Sequence, residues 1–327
     1  MSQGLAANSR KTYSQAVSKY FNFCIKYNQD PFIIDELLIL RFITYLSISK
    51  MAASSIRVYL AGVRAWAIAS GLPPPFVYTQ RIKWAIKALA RVQAPPARVP
   101  PFTLKMIVRV HESIIFTYDR LVIYSAILLG YFGCLRAAEY LAPLAAGPPL
   151  TPMDIKFSDS PRPFMVLNIA RSKTSVQGHK VVIGCSGVDV CAPCAIRLLI
   201  HISPHPHTAP LFTLSDGTPL SRQYFTTEMR NLLALAGISP AGITPHSLRA
   251  GSATDAAGLG MAESSIKSLG RWASAAYQVY IRPDHVAQAR VAARLVSGPG
   301  HSNPPHSNPH SHQLLNPFSG RGVSHLV

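Results

Sequence analysis

The stretch HSLRAGSATDAAGLG, residues 246 to 260, decides how the rest of this chain is interpreted. Pro245 precedes it, and because proline suits the first turn of a helix, we predict a helix that begins here. His246 and Arg249 then lie on one face, three residues apart. An imidazole that exchanges a proton near neutral pH, beside a permanently charged guanidinium, suits chemistry on a phosphate. Taken alone, the pair equally fits a helix-capping histidine with a surface arginine.

A second arginine stands upstream in YFGCLRAAEY, residues 131 to 140. It follows the apolar run 121–135, which is short for a membrane span and predicts a buried helix instead. Arg136 at the end of that helix would be costly to bury without a partner. Glu139, three residues on, can pair with it on the same face, and a structural ion pair is the alternative interpretation. Lys173 sits in a predicted hairpin loop, where it is either solvated or reaches into a neighbouring groove.

Downstream, RWASAAYQVYIR, residues 271 to 282, has helical character and contains two tyrosines. The indole N–H of Trp272 is a donor that can reach a phosphate oxygen. Tyr280 can supply a phenolic nucleophile, and the alternative is that both tyrosines, Tyr277 and Tyr280, are core aromatics. A free phenol has a pKa near 10, so such a tyrosine needs an activated phosphate and a base.

The charge of the chain points to a polyanionic partner. Its 327 residues hold 32 lysines and arginines against 14 acids, a formal net charge of +18. Nucleic acid is the leading partner, because basic side chains that neutralise phosphates supply most non-specific affinity, and an anionic membrane surface is the weaker alternative. Residues 1–100 alone hold 13 basic residues and three acids. We therefore predict a phosphate-binding face on the first helices, formed by Arg10, Lys11, Lys19, Arg57, Arg64, Lys83 and Lys87.

Helical spacing, proline clusters and short extended runs predict a mainly α fold with a small antiparallel β-sheet. Residues 1–95 are predicted to form a helical domain. Residues 96–102 belong to a proline-rich stretch and are predicted to form a linker. Residues 103–296 form a second domain, helical over 103–143 and again from 191, with extended runs at 154–159, 163–170 and 179–184 between. Residues 297–327, rich in proline, serine and histidine, are predicted to be disordered.

The five cysteines of a chain expected not to be secreted are predicted to be reduced thiols. Cys191 and Cys194 form a C-x-x-C pair, but no second pair stands near. Cys185 and the histidines at 201, 205 and 207 are irregularly spaced. The sequence therefore favours a helix start with small apolar cysteines over a zinc site, and we predict no metal and no cofactor.

The order of these motifs resembles the tyrosine recombinase family, also called phage integrases. LGYFGCLRAAEYL resembles the family's first arginine motif, HSLRAGSATDAAGLG its His-x-x-Arg box, and LGRWASAAYQVYIR its final box. The resemblance covers residues from about 8 to 294, and is strongest to eukaryotic mobile-element versions of the DIRS and Crypton type. It implies an N-terminal core-binding, SAM-like domain and an α+β catalytic domain.

The resemblance also implies roles for the motif residues. The tyrosine would attack DNA to form a 3′-phosphotyrosyl link without metal or ATP, in a homotetramer on two DNA duplexes, and in the nucleus if the mobile-element relation holds. Tyr280 stands eight residues after Trp272, close to the family's usual nine, whereas Tyr277 stands only five after it. Lys180, on the adjacent strand, is the alternative to Lys173. The implied catalytic residues are Arg136, Lys173, His246, Arg249, Trp272 and Tyr280, supported by Glu139.

Two other functions remain open at this point. A catalytically inactive or domesticated descendant would bind DNA without cutting it, although no motif position is lost here. A type IB topoisomerase shares the catalytic plan, but the short chain favours a recombinase.

Overall fold

The computed structural model describes residues 7–72, 79–94, 98–142, 149–159, 162–170 and 178–281. Within these ranges the chain forms ten α-helices and one three-stranded antiparallel sheet. The predicted fold class is therefore confirmed. None of the helices in these ranges is both long and apolar enough to cross a membrane.

The first four helices have a core of their own. They are α1 (Ala7–Lys26), α2 (Glu36–Ile48), α3 (Ala53–Ala69) and α4 (Gln80–Val92). The Asp35 carboxylate begins α2 by accepting the Leu38 N–H at 2.7 Å. Gly62 allows α3 to lie close to α1, because a Cβ atom there would stand 2.9 Å from that of Ala16. Their buried side chains form one hydrophobic cluster.

Two helices lead to the first arginine motif. They are α5 (Leu104–Ser113) and α6 (Tyr118–Phe132), and the middle of α6 is buried, as its apolar run predicts. The prediction that residues 103–143 are helical is confirmed for α5 and α6 but is wrong for the residues that directly follow α6. The helix ends at Phe132, and Cys134 adopts a left-handed φ of 46°, which breaks the helical path. Arg136 therefore lies in a turn before the short 3-10 helix Ala137–Glu139.

The sheet confirms the three predicted extended runs. Its strands β1 (Ile155–Ser158), β2 (Phe164–Ile169) and β3 (His179–Gly184) pair in the order β1-β2-β3. The β2–β3 hairpin closes with Ile169 opposite His179. Alternate β2 side chains are buried, so one face of the sheet packs on the main hydrophobic cluster.

The last helices carry the remaining motifs. They are α7 (Ala192–Ile202), α8 (Arg222–Leu235), α9 (Pro245–Gly258) and α10 (Glu263–Gly270). The helical character predicted for residues 271–282 is wrong for α-helix. Arg271 has a φ of 56°, and only the 3-10 helix Ala275–Val279 follows. The chain reverses at Gly270, where the Trp272 ring folds back into the space that a Cβ atom would need.

Several predictions fall outside the described residues. These are Lys173, residues 96 and 97 of the linker, residues 282–296 of the second predicted domain and the tail at 297–327. The buried side chains of α1–α4 and those of the later elements form separate hydrophobic clusters. The domain boundaries nevertheless stay predictions.

Candidate active site

His246 and Tyr280 are in direct contact. The Nε2 atom of His246 lies 2.9 Å from the phenolic oxygen of Tyr280, and the two rings meet edge to face. Pro245 and a capping box between Thr244 and Ser247 begin α9, which sets His246 on its first turn. The predicted helix start therefore brings the imidazole to the tyrosine from 34 residues away in sequence.

The surroundings of His246 favour its neutral form. Burial lowers the pKa of the imidazole from its ordinary value of 6.5, and the positive charges of Arg249, Arg222 and Arg136 lower it further. A neutral ring that holds its proton on Nδ1 accepts a hydrogen bond at Nε2. His246 is thus able to accept the phenolic hydrogen of Tyr280 near neutral pH.

The two tyrosines of the final motif have different surroundings. Tyr280 is half-buried, and its backbone carbonyl accepts the Thr254 hydroxyl at 2.8 Å, which ties it to α9. Tyr277 is only 4% exposed and packs in a small cluster with Ala256 and Ile266. Burial and a hydrogen bond to Glu263 raise the pKa of Tyr277, which disfavours its phenolate. Tyr280 is therefore the tyrosine that combines exposure with a basic neighbour.

Arg249 is enclosed rather than presented to solvent. It is 1% exposed, and its guanidinium donates to the carbonyls of Cys134, at 2.8 Å, and Gly270. The Trp272 indole covers the other side, 4.4 Å from the guanidinium carbon to the ring centroid. These carbonyls and the ring compensate for the loss of hydration, so a buried arginine is tolerated here. Arg249 and Trp272, both predicted from the sequence, lie in the site. There the guanidinium and the indole contact each other.

Glu139 joins two arginines, of which the sequence indicated only one. Its side chain, 2% exposed, lies 3.0 Å from Arg136 and 3.0 Å from Arg271. Arg271 also donates to the Gly133 carbonyl at 3.1 Å. Arg271 was missed because Glu139 already had a partner three residues away. The signal available in the sequence was an arginine directly before Trp272, in a motif that contains no acid.

The loop end of the β2–β3 hairpin, at His179, is influenced by the charges of these arginines. Burial lowers the pKa of His179, and the charge of Arg271 lowers it further, with smaller effects of Arg136 and Arg249 and an opposing one of Glu139. Lys180, the alternative to Lys173, is exposed on the same strand. Lys173 lies outside the described residues.

Direct contacts thus connect most of the predicted site. They run from Arg136 through Glu139 and Arg271 to the Cys134 carbonyl, and from there through Arg249 and Trp272 to the tyrosine and histidine. The result is a half-buried phenol beside a neutral imidazole, in a setting with three arginines and one acid. Such a setting favours the binding of an anion next to the phenol.

The predicted phosphate-binding residues lie on α1, α3 and α4. All but Lys19, which is partly buried, are exposed. Lys11 and Lys19 line a polar groove of 810 Å³, together with Tyr45 and Tyr59. A groove that combines lysines with tyrosines suits a nucleic-acid backbone, because ammonium groups contact phosphates and phenols donate to them.

Three of the cysteines lie close together in the structure, although their spacing in the sequence does not indicate a metal site. In the described part of the chain, Cys185, Cys191 and Cys194 are the one group of three or more potential metal ligands within ligand distance of one another. The sequence argues against a metal role for the C-x-x-C pair because Cys185 is not part of a second pair. The prediction of no metal site is untested. The irregular spacing in the sequence, however, is no argument against a site, because the fold brings the three thiols together.

Comparison with solved structures shows which fold surrounds this site. The integrase of transposon Tn1549 in complex with transposon right-end DNA matches with a TM-score of 0.64 and 13% identity, over 90% of this chain and 96% of that chain. The XerH site-specific recombinase in a post-cleavage complex with a palindromic difH substrate matches with 0.63 and 13%, over 88% and 79%.

A lambda integrase tetramer bound to a Holliday junction matches with a TM-score of 0.57 and 16% identity, over 86% of this chain and 73% of that chain. No family model matches the chain, and no curated protein matches its sequence. The chain has the tyrosine recombinase fold. At these identities the likeness shows the fold alone.

Proposed function

We propose that the protein is a site-specific DNA recombinase of the integrase class, which cleaves and rejoins DNA through a 3′-phosphotyrosyl intermediate. The contact of 2.9 Å between His246 Nε2 and the Tyr280 oxygen carries this proposal. It supports Tyr280 as the nucleophile, because a phenol needs a base within hydrogen-bond distance to attack a phosphodiester.

In the proposed cleavage step, side chains alone accept and donate the protons. The Tyr280 oxygen attacks the scissile phosphorus while its proton passes to His246, and the bond from phosphorus to the 5′-oxygen breaks. Lys173 gives a proton to that oxygen, which leaves as a 5′-hydroxyl. A 5′-hydroxyl from the partner duplex reverses these transfers and joins new ends. The phosphotyrosyl bond conserves the energy of the broken bond, so ATP is not consumed.

The arginines supply the positive charge that the transition state needs. Arg136 and Arg249 would neutralise the non-bridging oxygens, with the Trp272 N–H as a further donor. Arg249 is covered by the Trp272 ring and bonded to two carbonyls. Direct contact with a phosphate therefore requires the indole to move off the guanidinium, and we propose that DNA binding causes this movement.

The basic face of α1, α3 and α4 would hold the duplex. The polar groove with Lys11 and Lys19 supports this role, since its lysines can neutralise phosphates without reading sequence. The similar lambda integrase structure is a tetramer on a Holliday junction, and we propose a homotetramer on two duplexes here. A mobile-element origin and nuclear location are further proposals that rest on the motif resemblance.

The second candidate is a recombinase-derived protein that binds DNA without cutting it. The enclosure of Arg249 favours this candidate, because the guanidinium is almost fully buried and donates to the carbonyls of Cys134 and Gly270. The two candidates differ in one product, a covalent protein–DNA adduct.

The test uses nicked suicide substrates that carry candidate element ends, with products separated on a denaturing gel. We expect an adduct with the wild type and with Tyr277→Phe, and none with Tyr280→Phe. Tyr277→Phe is the matched control because it removes a phenol that lies three residues away. Loss of the adduct only in Tyr277→Phe would overturn the assignment of the nucleophile. Tight duplex binding with no adduct on any substrate would favour the second candidate.

A further inference from the structure

The end of β3 and the start of α7 bring three thiols together. Cys185 follows the last residue of β3, Cys191 is the residue before α7, and Cys194 lies in its first turn. The Cys185 sulfur is 3.3 Å from that of Cys191 and 3.5 Å from that of Cys194, and all three sulfurs lie within 4.8 Å of one another.

This spacing fits one tetrahedral metal ion. A Zn–S bond of about 2.3 Å implies sulfur atoms about 3.8 Å apart around a tetrahedral Zn²⁺. The two short sulfur–sulfur distances need to lengthen by only a few tenths of an ångström. A single disulfide, in contrast, would leave the third thiol without a partner.

The exposure of two of the thiols would also allow a metal ion to reach the site from solvent. Cys191 is buried, Cys185 is partly exposed and Cys194 is exposed. Cys185 and Cys194 line a pocket of 560 Å³ whose wall also holds His201. His201 lies two helical turns after Cys194, on the same side of α7. A fourth ligand can therefore come from the pocket, as the His201 imidazole or as water.

We propose that Cys185, Cys191 and Cys194 bind Zn²⁺, with the fourth coordination position facing this pocket. Three thiolates select zinc over magnesium or calcium, which prefer oxygen ligands. The ion would close the loop between β3 and α7 and so fix the C-terminal end of the β2–β3 hairpin. This inference does not depend on the proposed recombinase activity.

The test measures zinc in the full-length protein after dialysis against a weak chelator. We expect about one zinc ion per chain in the wild type, and a loss of at least about tenfold in Cys185→Ser, Cys191→Ser and Cys194→Ser. Cys24→Ala is the matched control, because Cys24 is buried elsewhere in the fold and its removal should leave the zinc content unchanged. His201→Ala keeps the zinc if water is the fourth ligand and weakens its retention if the imidazole is.

A second measurement needs no variant to fold. Exchange of zinc for Co²⁺ in the wild type should give a thiolate-to-cobalt charge-transfer band, which metal held by the histidines of the C-terminal tail cannot give. A mercurial reagent that blocks thiols should release the zinc. The proposal is overturned if the wild type purifies without zinc or if its cobalt form lacks the band. It is also overturned if the intact mass of the protein, taken directly from a reducing cell extract, shows that two of these thiols form a disulfide.

Discussion

His246 and Tyr280 lie 2.9 Å apart although they belong to different elements, the first turn of α9 and the end of the last 3-10 helix. Thr254, two turns further along α9, holds the backbone carbonyl of Tyr280. The tyrosine is thus fixed to one helix at both its ring and its backbone. These two contacts hold the phenol beside the imidazole.

The rate of adduct formation should stay high from about pH 8 to pH 6.5 and fall at lower pH. Burial and three arginine charges hold the pKa of His246 below its ordinary value of 6.5. The ring therefore stays neutral, and able to accept a proton, as long as the pH is above this lowered pKa. As the pH falls through the lowered pKa, His246 becomes charged and can no longer accept the Tyr280 hydrogen. Single-turnover rates on a suicide substrate, with an NMR titration of His246, check this expectation.

Arg222→Gln is the matched variant for this pH profile. Arg222 lies exposed at the start of α8, and its charge lowers the pKa of His246. Its removal should raise that pKa and move the low-pH limb of the profile towards neutrality. A limb that does not move, or that moves to lower pH, contradicts the assignment of the limb to His246.

Glu139→Gln should lower the free energy of unfolding by about 2–4 kcal/mol, because it leaves two arginines side by side without a counter-charge. The carboxylate is 2% exposed and lies 3.0 Å from each of Arg136 and Arg271. Urea unfolding measures the change. Asp159→Asn breaks an exposed ion pair with Arg197 and serves as control, with no measurable change expected. Equal effects of the two variants would show that Glu139 has no special role.

The sequence predicted the fold class, the hairpin and the helix that begins at Pro245, because each depends on local spacing. Arg136 and Glu139 could be paired for the same reason, being three residues apart. The contact of Arg249 with the Cys134 carbonyl spans 115 residues, and that of Arg271 with Glu139 spans 132. Such contacts depend on how α6 packs against later elements. Periodicity carries no information about that packing, nor about the approach of Cys185 to Cys191.

Gly251→Ala should destabilise the protein by about 1–3 kcal/mol, since a new Cβ atom would collide with the backbone of Phe102. The Phe102 N–H donates to the Ser247 carbonyl at 2.8 Å, so this close approach also positions the first turn of α9. Gly258→Ala, in the same helix, meets nothing within 4 Å and should stabilise slightly. Thermal unfolding of both variants tests the pair, and similar effects would contradict close packing at Gly251.

Lys11→Gln and Lys19→Gln should each weaken duplex binding on any sequence and reduce the salt slope by about 1. The reason is that both lysines line the polar groove of the first helices and are proposed to neutralise one phosphate each. Binding constants measured over a range of salt concentrations give the slope. Lys156→Gln removes the same charge from the exposed face of β1 and should leave the slope unchanged. If Lys156→Gln lowers the slope as much as the groove variants do, the loss reflects net charge, and the groove is not the phosphate-binding surface.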